Sequence, residues 1–307
     1  MFLPWEAELI ASDAIKDRVE NPQIALDIDS FAERFIQSAI TIEMPATAEM
    51  REPRYLGKLR GALGEALKKL ACTRCLQTKT CACAPPSAFH LLYRFEAAKT
   101  PGLAIPRPFA AALTVSGRTA ALRISLFGLA VEWSEEIAAG LMLALQDGLG
   151  LQPNNRHIES PAIEPPPWSP FGMIMAFETP LNLRLNRHDR AAASGPQTKL
   201  LMSIITRVTG IARWHDTKIT GDFAALKDQA ARTQAWLLDE PQDHWRRYSN
   251  RQQRWIPMSG AKPVLLLQGD LAPFLPYLAL GTALHTGSHT ALGLGRYSLH
   301  PATNDNA

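Results

Sequence analysis

The sequence has no apolar run approaching the ~20 residues that a membrane-spanning helix needs. Its longest such stretch, Leu271–Leu284, is interrupted by Pro273, Pro276 and Gly281. That argues against a transmembrane helix, and no membrane partner is expected. The opening MFLPWEAELIASD lacks the basic segment and apolar core of a secretory signal, so a cytoplasmic protein is expected. Net charge is slight, with 32 Lys and Arg against 29 Asp and Glu, too little by itself to announce a nucleic-acid binder. Cysteine is confined to Cys72, Cys75, Cys81 and Cys83, and without an export signal a disulfide framework is their less expected use. Apolar material is ample. A hydrophobic fraction of 46% excludes a disordered chain, and 307 residues make about two domains.

The small net charge hides two concentrations. Residues 1–50 hold ten acidic side chains and three basic ones. Residues 51–79 invert this, with Arg51, Arg54, Lys58, Arg60, Lys68, Lys69, Arg74 and Lys79 against Glu52 and Glu65. Farther on, HWRRYSNRQQR (244–254) carries Arg246, Arg247, Arg251 and Arg254 with no acid among them. A charge run is ordinarily a solvated face. Arginine, however, presents a planar fork of donors that suits phosphate. Two basic blocks with an acidic counterweight therefore point to one electropositive face and a polyanionic partner.

SPAIEPPPWSP (160–170) holds five prolines and reads as an extended connection, which divides the chain into domains 1–165 and 166–307. In the first, RFIQSAITIEM (34–44) alternates as a strand, and Leu56, Leu59, Leu63, Leu67 and Leu70 mark an amphipathic helix. AFHLLYRFEA (88–97) and TAALRISLFGLAVEW (119–133) read as strands, with PFAAALTVSGR (108–118) as a hairpin arm turning at Ser116–Gly117. Ser134 reads as the cap of a helix, and HIESPAIE (157–164) as a closing strand.

In the second domain, GMIMAFETPLNLRL (172–185) is a strand, followed by a helix over 198–211 with Arg207 and Arg213 on its surface. Asp222 caps a helix expected to run through FAALKDQAARTQAWLLD. QRWIPM (253–258) and KPVLLLQG (262–269) read as a hairpin through Ser259–Gly260. Asp270 caps an apolar helix that Pro276 kinks or delays, and GLGRYSLH (293–300) closes the set. Each half approximates strand–helix–strand–strand–helix–strand. The expected class is α+β, two tandem ferredoxin-like domains, the second with a helical insertion.

GDLAPFLPYLALGTALHTGSHTALGLGRYSL (269–299) places Gly281, Gly287, Gly293 and Gly295 around one loop. With WRRYSNRQQRWIPMSG (245–260), it closely resembles the C-terminal half of CRISPR repeat-processing endoribonucleases of the RAMP superfamily. ETPLNLRLN (178–186), the LFG at 126–128 and the segment 59–83 are similar to further blocks of that family. The resemblance implies two RAMP domains of the fold just described. It also implies cleavage of precursor CRISPR RNA in its repeat hairpin by 2′-hydroxyl attack, with no cofactor required. Retention of the mature guide and contact with other subunits of an effector complex would follow. Glycines in such a loop let backbone N–H groups approach phosphate, which makes Gly287, Ser288 and Arg296 RNA-binding candidates beside Lys58, Arg246, Arg247, Arg251 and Arg254.

The chain departs from this family in two places. Relatives carry Lys in the loop near the position of Ser288–His289, and many carry a catalytic His at the start of the first domain's first helix. Here no His precedes His90, and residues 51–60 offer Arg51, Arg54, Tyr55, Lys58 and Arg60. Arginine can align and stabilise a pentacoordinate phosphorus but stays protonated near neutral pH. Either His289, or less readily His285, transfers protons, or the site works by positioning and electrostatics. Arg54, Arg60 and His289 are the expected catalytic set, with weight on the arginines. The departure suggests a divergent branch such as that of type IV systems.

His90 reads as structural. Trp214, Trp236, Trp245 and Trp255 read mostly as core, with one exposed ring able to stack on a base. Cys72, Cys75, Cys81 and Cys83 leave two uses open. They are either four thiolates around a structural zinc, for which the closing C-x-C is tight, or free and partly oxidised thiols.

Overall fold

The structure, a computed structural model, describes residues 11–52, 54–77, 81, 83–183, 195–243, 246–249, 253–258 and 260–304. It forms two compact units. The first comprises Met1–Leu26, Arg34–Pro161 and Gly210–Ile219; the second comprises Asp27–Glu33, Ala162–Thr209 and Thr220–Ala307. The chain passes from one to the other within the proline-rich stretch, and two short segments are exchanged. No helix among the described residues is long and apolar enough to cross a membrane.

The first unit contains α1 (Ser12–Glu20), β1 (Gln37–Pro45), α2 (Tyr55–Leu70), β2 (Phe109–Ser116), β3 (Thr119–Phe127), α3 (Ser134–Leu143) and β4 (Asn155–Glu159). Its sheet order is β2-β3-β1-β4, with every neighbouring pair antiparallel. Alternation sets the face: Ile40, Ile42 and Met44 are fully buried while Glu43 and Pro45 are exposed. The leucine spacing of α2 buries Leu59, Leu63 and Leu67. Against them lies Gly140 of α3, where an added Cβ would stand 2.5 Å from Leu67 Cδ2.

Two expectations fail in this unit. Residues 88–94 are helical, ending in a wide turn over His90–Arg94. Phe89, His90, Leu91 and Leu92 are all buried, a consecutive run that a half-exposed strand cannot supply. The strand expected to 133 stops at Phe127, because Gly128 at φ +57° turns the chain into a 3-10 helix. Ser134 does not cap; its hydroxyl donates to Val131 O (2.6 Å) and lies 3.0 Å from the Ser38 hydroxyl.

The second unit contains β5 (Met173–Phe177), α4 (Pro196–Ala212, whose last residues lie in the first unit), α5 (Phe223–Arg232), β6 (Gln234–Asp239), β7 (Arg246–Ser249), β8 (Arg254–Pro257), β9 (Val264–Gln268), α6 (Leu275–Leu284) and β10 (Tyr297–Pro301). The sheet order β6-β9-β5-β10 repeats that of the first unit, again antiparallel throughout. Strand order and connectivity in both units are those of the ferredoxin-like fold, with α5 as the inserted helix. Asp222 caps α5, its Oδ1 accepting from the N–H groups of Ala224 and Ala225. A 3-10 turn at Ala272–Phe274 precedes α6, so Pro276 sits harmlessly in the helix's first turn; Asp270 does not cap α6, its Oδ1 instead accepting from Ala272 N–H (3.2 Å) ahead of the 3-10 turn, whose cap position is Leu271.

Three corrections belong here. α5 ends at Arg232, and QAWLLD is strand β6 rather than helix. Pairing with β9 engages one side of its backbone, a tertiary effect that overrides local propensity. QRWIPM and KPVLLLQG do not pair with each other; Ser259 of the supposed turn lies outside the described residues. They follow one another along one arm of a single ribbon. Its partners run Gln234↔Gln268, then, after one slip, Asp239↔Val264, Gln242↔Ala261, Arg246↔Pro257 and Ser249↔Arg254. Finally, Arg207 and Arg213 are buried. Arg213 Nη1 donates to Val19 O (3.2 Å) and Glu20 O (2.7 Å) at the end of α1, and Arg207 Nε donates to Leu284 O (3.3 Å) at the end of α6. Each satisfies helix-terminal carbonyls that would otherwise lack donors.

Candidate nucleic-acid interface

In the first unit the basic cluster gathers at the start of α2. This helix of 16 residues has no acidic side chain in its first turn, where the exposed N–H groups carry the positive end of the helix dipole. Arg54 stands at the cap position and Lys58 one turn on, with side chains 67% and 55% exposed. Arg54 pairs with Glu52, and Lys58 Nζ reaches Glu49 Oε2 at 3.0 Å. Exposed pairs of this kind are worth at most about 1 kcal/mol, so a phosphate can displace the carboxylates. Arg51 is exposed and donates to Gly117 O (2.7 Å). Arg60 is half-buried, its guanidinium 4.7 Å from the centroid of the Tyr93 ring. Tyr93 in turn donates its hydroxyl to Arg60 O (2.6 Å), and burial pushes that phenol up to about 12. Tyr55 is buried, which raises its phenol as well. The cluster can bind and neutralise a phosphate.

In the second unit the arginine block falls on the far half of the ribbon. Arg246 and Trp255, both exposed, are neighbours, the guanidinium 5.8 Å from the indole centroid. Trp255 is 60% and Trp236 56% exposed, contrary to their expected core placement, whereas Trp214 is buried. Arg254 is exposed and pairs with Ser249 at the ribbon's end. Arg251 and Trp245 lie outside the described residues, as does the side chain of Arg247.

The glycine-rich loop is built differently from an open phosphate cradle. Gly287 (φ +76°) presses on a neighbouring strap, so that an added Cβ would stand 2.5 Å from Asn182 O. Gly295 (φ +70°) presses on Thr286 O at 1.8 Å by the same measure. The N–H groups of Thr286, Ser288, Gly295 and Arg296 donate to Gly295 O, Asn182 O, Pro180 O and Thr179 Oγ1 respectively. Leu292 and Leu294 donate to His289 O. The glycines thus serve close packing of the loop on residues 178–182, and most loop amides are already engaged. Arg296 extends this contact through an ion pair with Glu178 (2.9 Å).

His289, at φ +66° and half-buried, sits on that loop. His285 is enclosed; burial, then the nearby charges of Arg296 and Arg207, hold its imidazole down to about 3, so it remains neutral. His90 is buried too, its Nε2 2.8 Å from Ser12 Oγ and its titration lowered by burial. The cysteine segment places the Cys72 and Cys83 sulfurs 3.1 Å apart, while Cys81 is buried and disulfide-bonded. The side chain of Cys75 lies outside the described residues. Among those described, no group of three His, Cys, Asp or Glu could hold a metal ion.

Sequence reasoning missed the buried capping arginines and the exposed Trp236. For Arg207 no local signal existed, since its role depends on the end of α6. For Trp236 the signal was the alternation hidden in a helix-compatible stretch.

Residues 175–297 match the family model described as CRISPR-associated endoribonuclease Cas6, and residues 35–166 match an N-terminal domain model designated AF_1859_N. No curated protein matches the chain. Among solved structures, it is similar to a Cas6 product complex at 16% identity and a TM-score of 0.51, over 86% of this chain and 99% of that one. It is also similar to a chain of a partial Cas6-RT-Cas1–Cas2 complex at 11% identity and a TM-score of 0.53, over 89% of this chain and 47% of that one. At such identities the likeness speaks for the fold.

Proposed function

Because residues 175–297 match the family model of the CRISPR-associated endoribonuclease Cas6, we propose that the chain is an endoribonuclease of the Cas6/RAMP type that binds the hairpin of a CRISPR repeat and cuts at its base. The observation that carries this reading is the start of α2, a helix N-terminus bearing Arg54 and Lys58 and no acid in its first turn. In the reaction the 2′-oxygen attacks the adjacent phosphorus and loses its proton. The bond to the 5′-oxygen breaks, and that oxygen gains a proton, leaving a 2′,3′-cyclic phosphate and a 5′-hydroxyl. Arg54 and Arg60 stabilise the extra negative charge on phosphorus, with Lys58 holding a flanking phosphate. Arg246, Arg247, Arg251 and Arg254 grip the backbone of the RNA from the ribbon, and the rigid loop of Gly287, Ser288 and Arg296 abuts it.

The reaction as written needs no metal or cofactor. Incubation of purified protein with repeat RNA in EDTA tests it, and cleavage at one position is expected. Replacing the scissile 2′-hydroxyl with hydrogen should abolish cleavage and spare binding; cleavage of the deoxy substrate would refute the mechanism.

A second reading is favoured by the enclosure of His90 and His285, which removes two imidazoles from proton transfer. It is a non-cleaving subunit that caps the hairpin of a mature guide within an effector complex. Single-turnover cleavage by His289→Ala and Arg54→Ala separates the two. Retention of the guide after cutting is read by co-purification of product RNA. A structural zinc on Cys72, Cys75, Cys81 and Cys83 is the reduced-state alternative to the disulfide at Cys81, and the zinc content of protein purified under reductant decides between them.

A further inference from the structure

The far half of the ribbon has two faces, and its register decides which residues share each. The partners Arg246↔Pro257 and Ser249↔Arg254 put Arg254 and Ile256 of β8 on one face and Trp255 on the other, together with Arg246. Ile256 packs against Met258, Leu292 and Leu294, a small cluster shared by the ribbon and the glycine-rich loop. That contact holds the first face on the loop and turns Trp255 outward, where it is 60% exposed. Arg246, diagonal to it across the two strands, brings its guanidinium to 5.8 Å from the indole centroid, within the range of a cation–π contact. No acid occurs from His244 to Gly269, and Asp243, just before, is engaged by Lys262 (3.3 Å). The outward face therefore offers a flat apolar ring beside a cation. The other exposed indole, Trp236, is a poorer platform. Its N–H is engaged by Gln268 Oε1 (3.1 Å), and the exposed acids Asp239 and Glu240 follow it in the chain.

We propose that Trp255 stacks on an unpaired nucleobase of the bound RNA, beside the hairpin stem, while Arg246 takes the phosphate of the same nucleotide. The inference rests on the RNA-binding reading given above. A nucleotide presents a π-face and an anionic phosphate close together, the complement of an indole and a guanidinium side by side. Within a duplex, neighbouring bases cover both faces of each base, so the ring selects a nucleotide outside the stem. Every base has a π-face, and Trp255 thus reads the boundary between paired and unpaired RNA rather than base identity. A protein partner would have to bring its own acid to Arg246, whereas RNA brings one with every nucleotide.

The test is equilibrium binding, with cleavage read in the same samples. The probes are intact repeat RNA and repeat RNAs carrying one abasic site at each unpaired position in turn. Trp255→Ala is expected to bind intact RNA about 5- to 100-fold more weakly, and Trp255→Phe to recover most of that loss, with circular dichroism confirming an unchanged fold. Stacking releases no counterions, so the salt slope of Trp255→Ala should match wild type, unlike that of Arg246→Ala. At one unpaired position, removing the base should weaken wild type by a similar factor and leave Trp255→Ala no weaker than before. A Trp255→Ala variant that binds intact RNA as wild type does, or losses that multiply at every position, would overturn the proposal even where the RNA is cut normally. Base-dependent binding through Trp255 without cleavage by wild type would instead refute the nuclease reading and leave the stacking intact. Failure of wild type to bind repeat RNA would overturn both.

Discussion

In the first unit, Arg54 and Lys58 stand on the opening turn of a helix, whereas in the second, Arg246 and Arg254 ride on the far half of a two-stranded ribbon. The sheets beneath them have the same strand order. Glycine is used just as differently. On α2, a Cβ added at Gly57 or Gly61 would meet nothing within 4 Å. On the loop before β10, Gly287 and Gly295 adopt positive φ and leave no room at all. A duplicated scaffold can therefore diverge in how it offers charge, by a helix end in one copy and by a protruding arm braced beside a rigid loop in the other.

Gly295→Ala should have the largest effect on this contrast. The new methyl would collide with Thr286 O at a φ that alanine rarely adopts, and a loss of about 3–5 kcal/mol in urea unfolding is expected. If the loss were under about 1 kcal/mol, the loop would be softer than its packing implies. Next comes the double variant Arg54→Ala, Lys58→Ala, which should slow single-turnover cleavage about 10²–10³-fold without lowering stability.

Acid should weaken both units. Burial holds His215 down to about 4 and His285 down to about 3, below the ordinary value near 6.5. The unfolded chain takes up these protons as pH falls below about 6.5 while the folded chain does not, so stability is full above that pH. It should fall by about 1.4 kcal/mol per pH unit for each histidine on the way to about pH 4, as read by urea unfolding at pH 7 and pH 5. Replacing His215 with Gln should flatten that slope. Arg246→Ala should weaken RNA binding modestly and lower the salt slope by about one phosphate's worth. The smallest change is Gly57→Ala, expected to stabilise α2 by about 0.5–1 kcal/mol in thermal unfolding.

Much of this was legible in local pattern. The leucine spacing of α2, the Asp222 cap and the Ser116–Gly117 turn each rest on forces that act within a few residues, and each stands where the sequence puts it. QAWLLD was not legible, because adjacent tryptophan and leucines fit a helix or a strand equally. Its pairing with Leu265–Gln268 made the choice. Arg207 and Arg213 read as surface cations because a helix period cannot announce that they end other helices. The loop glycines were recognisable as indispensable, yet sequence could not distinguish room for a phosphate from room for the carbonyls of Asn182 and Thr286. The cations at the start of α2 were expected on an electropositive face, and Arg54 and Lys58 are exposed, whereas their pairing with Glu49 and Glu52 depends on a turn that pattern did not reveal.

The most direct measurement is photocrosslinking from a 4-thiouridine placed at the cut nucleotide of repeat RNA, with the attached peptide identified by mass spectrometry. Attachment within residues 51–60 is expected, lost on Arg54→Ala, Lys58→Ala while a crosslink from the hairpin stem to residues 246–254 persists. Attachment of the cut nucleotide only to the ribbon, with residues 51–60 never touched, would contradict the assignment of the scissile phosphate to the start of α2.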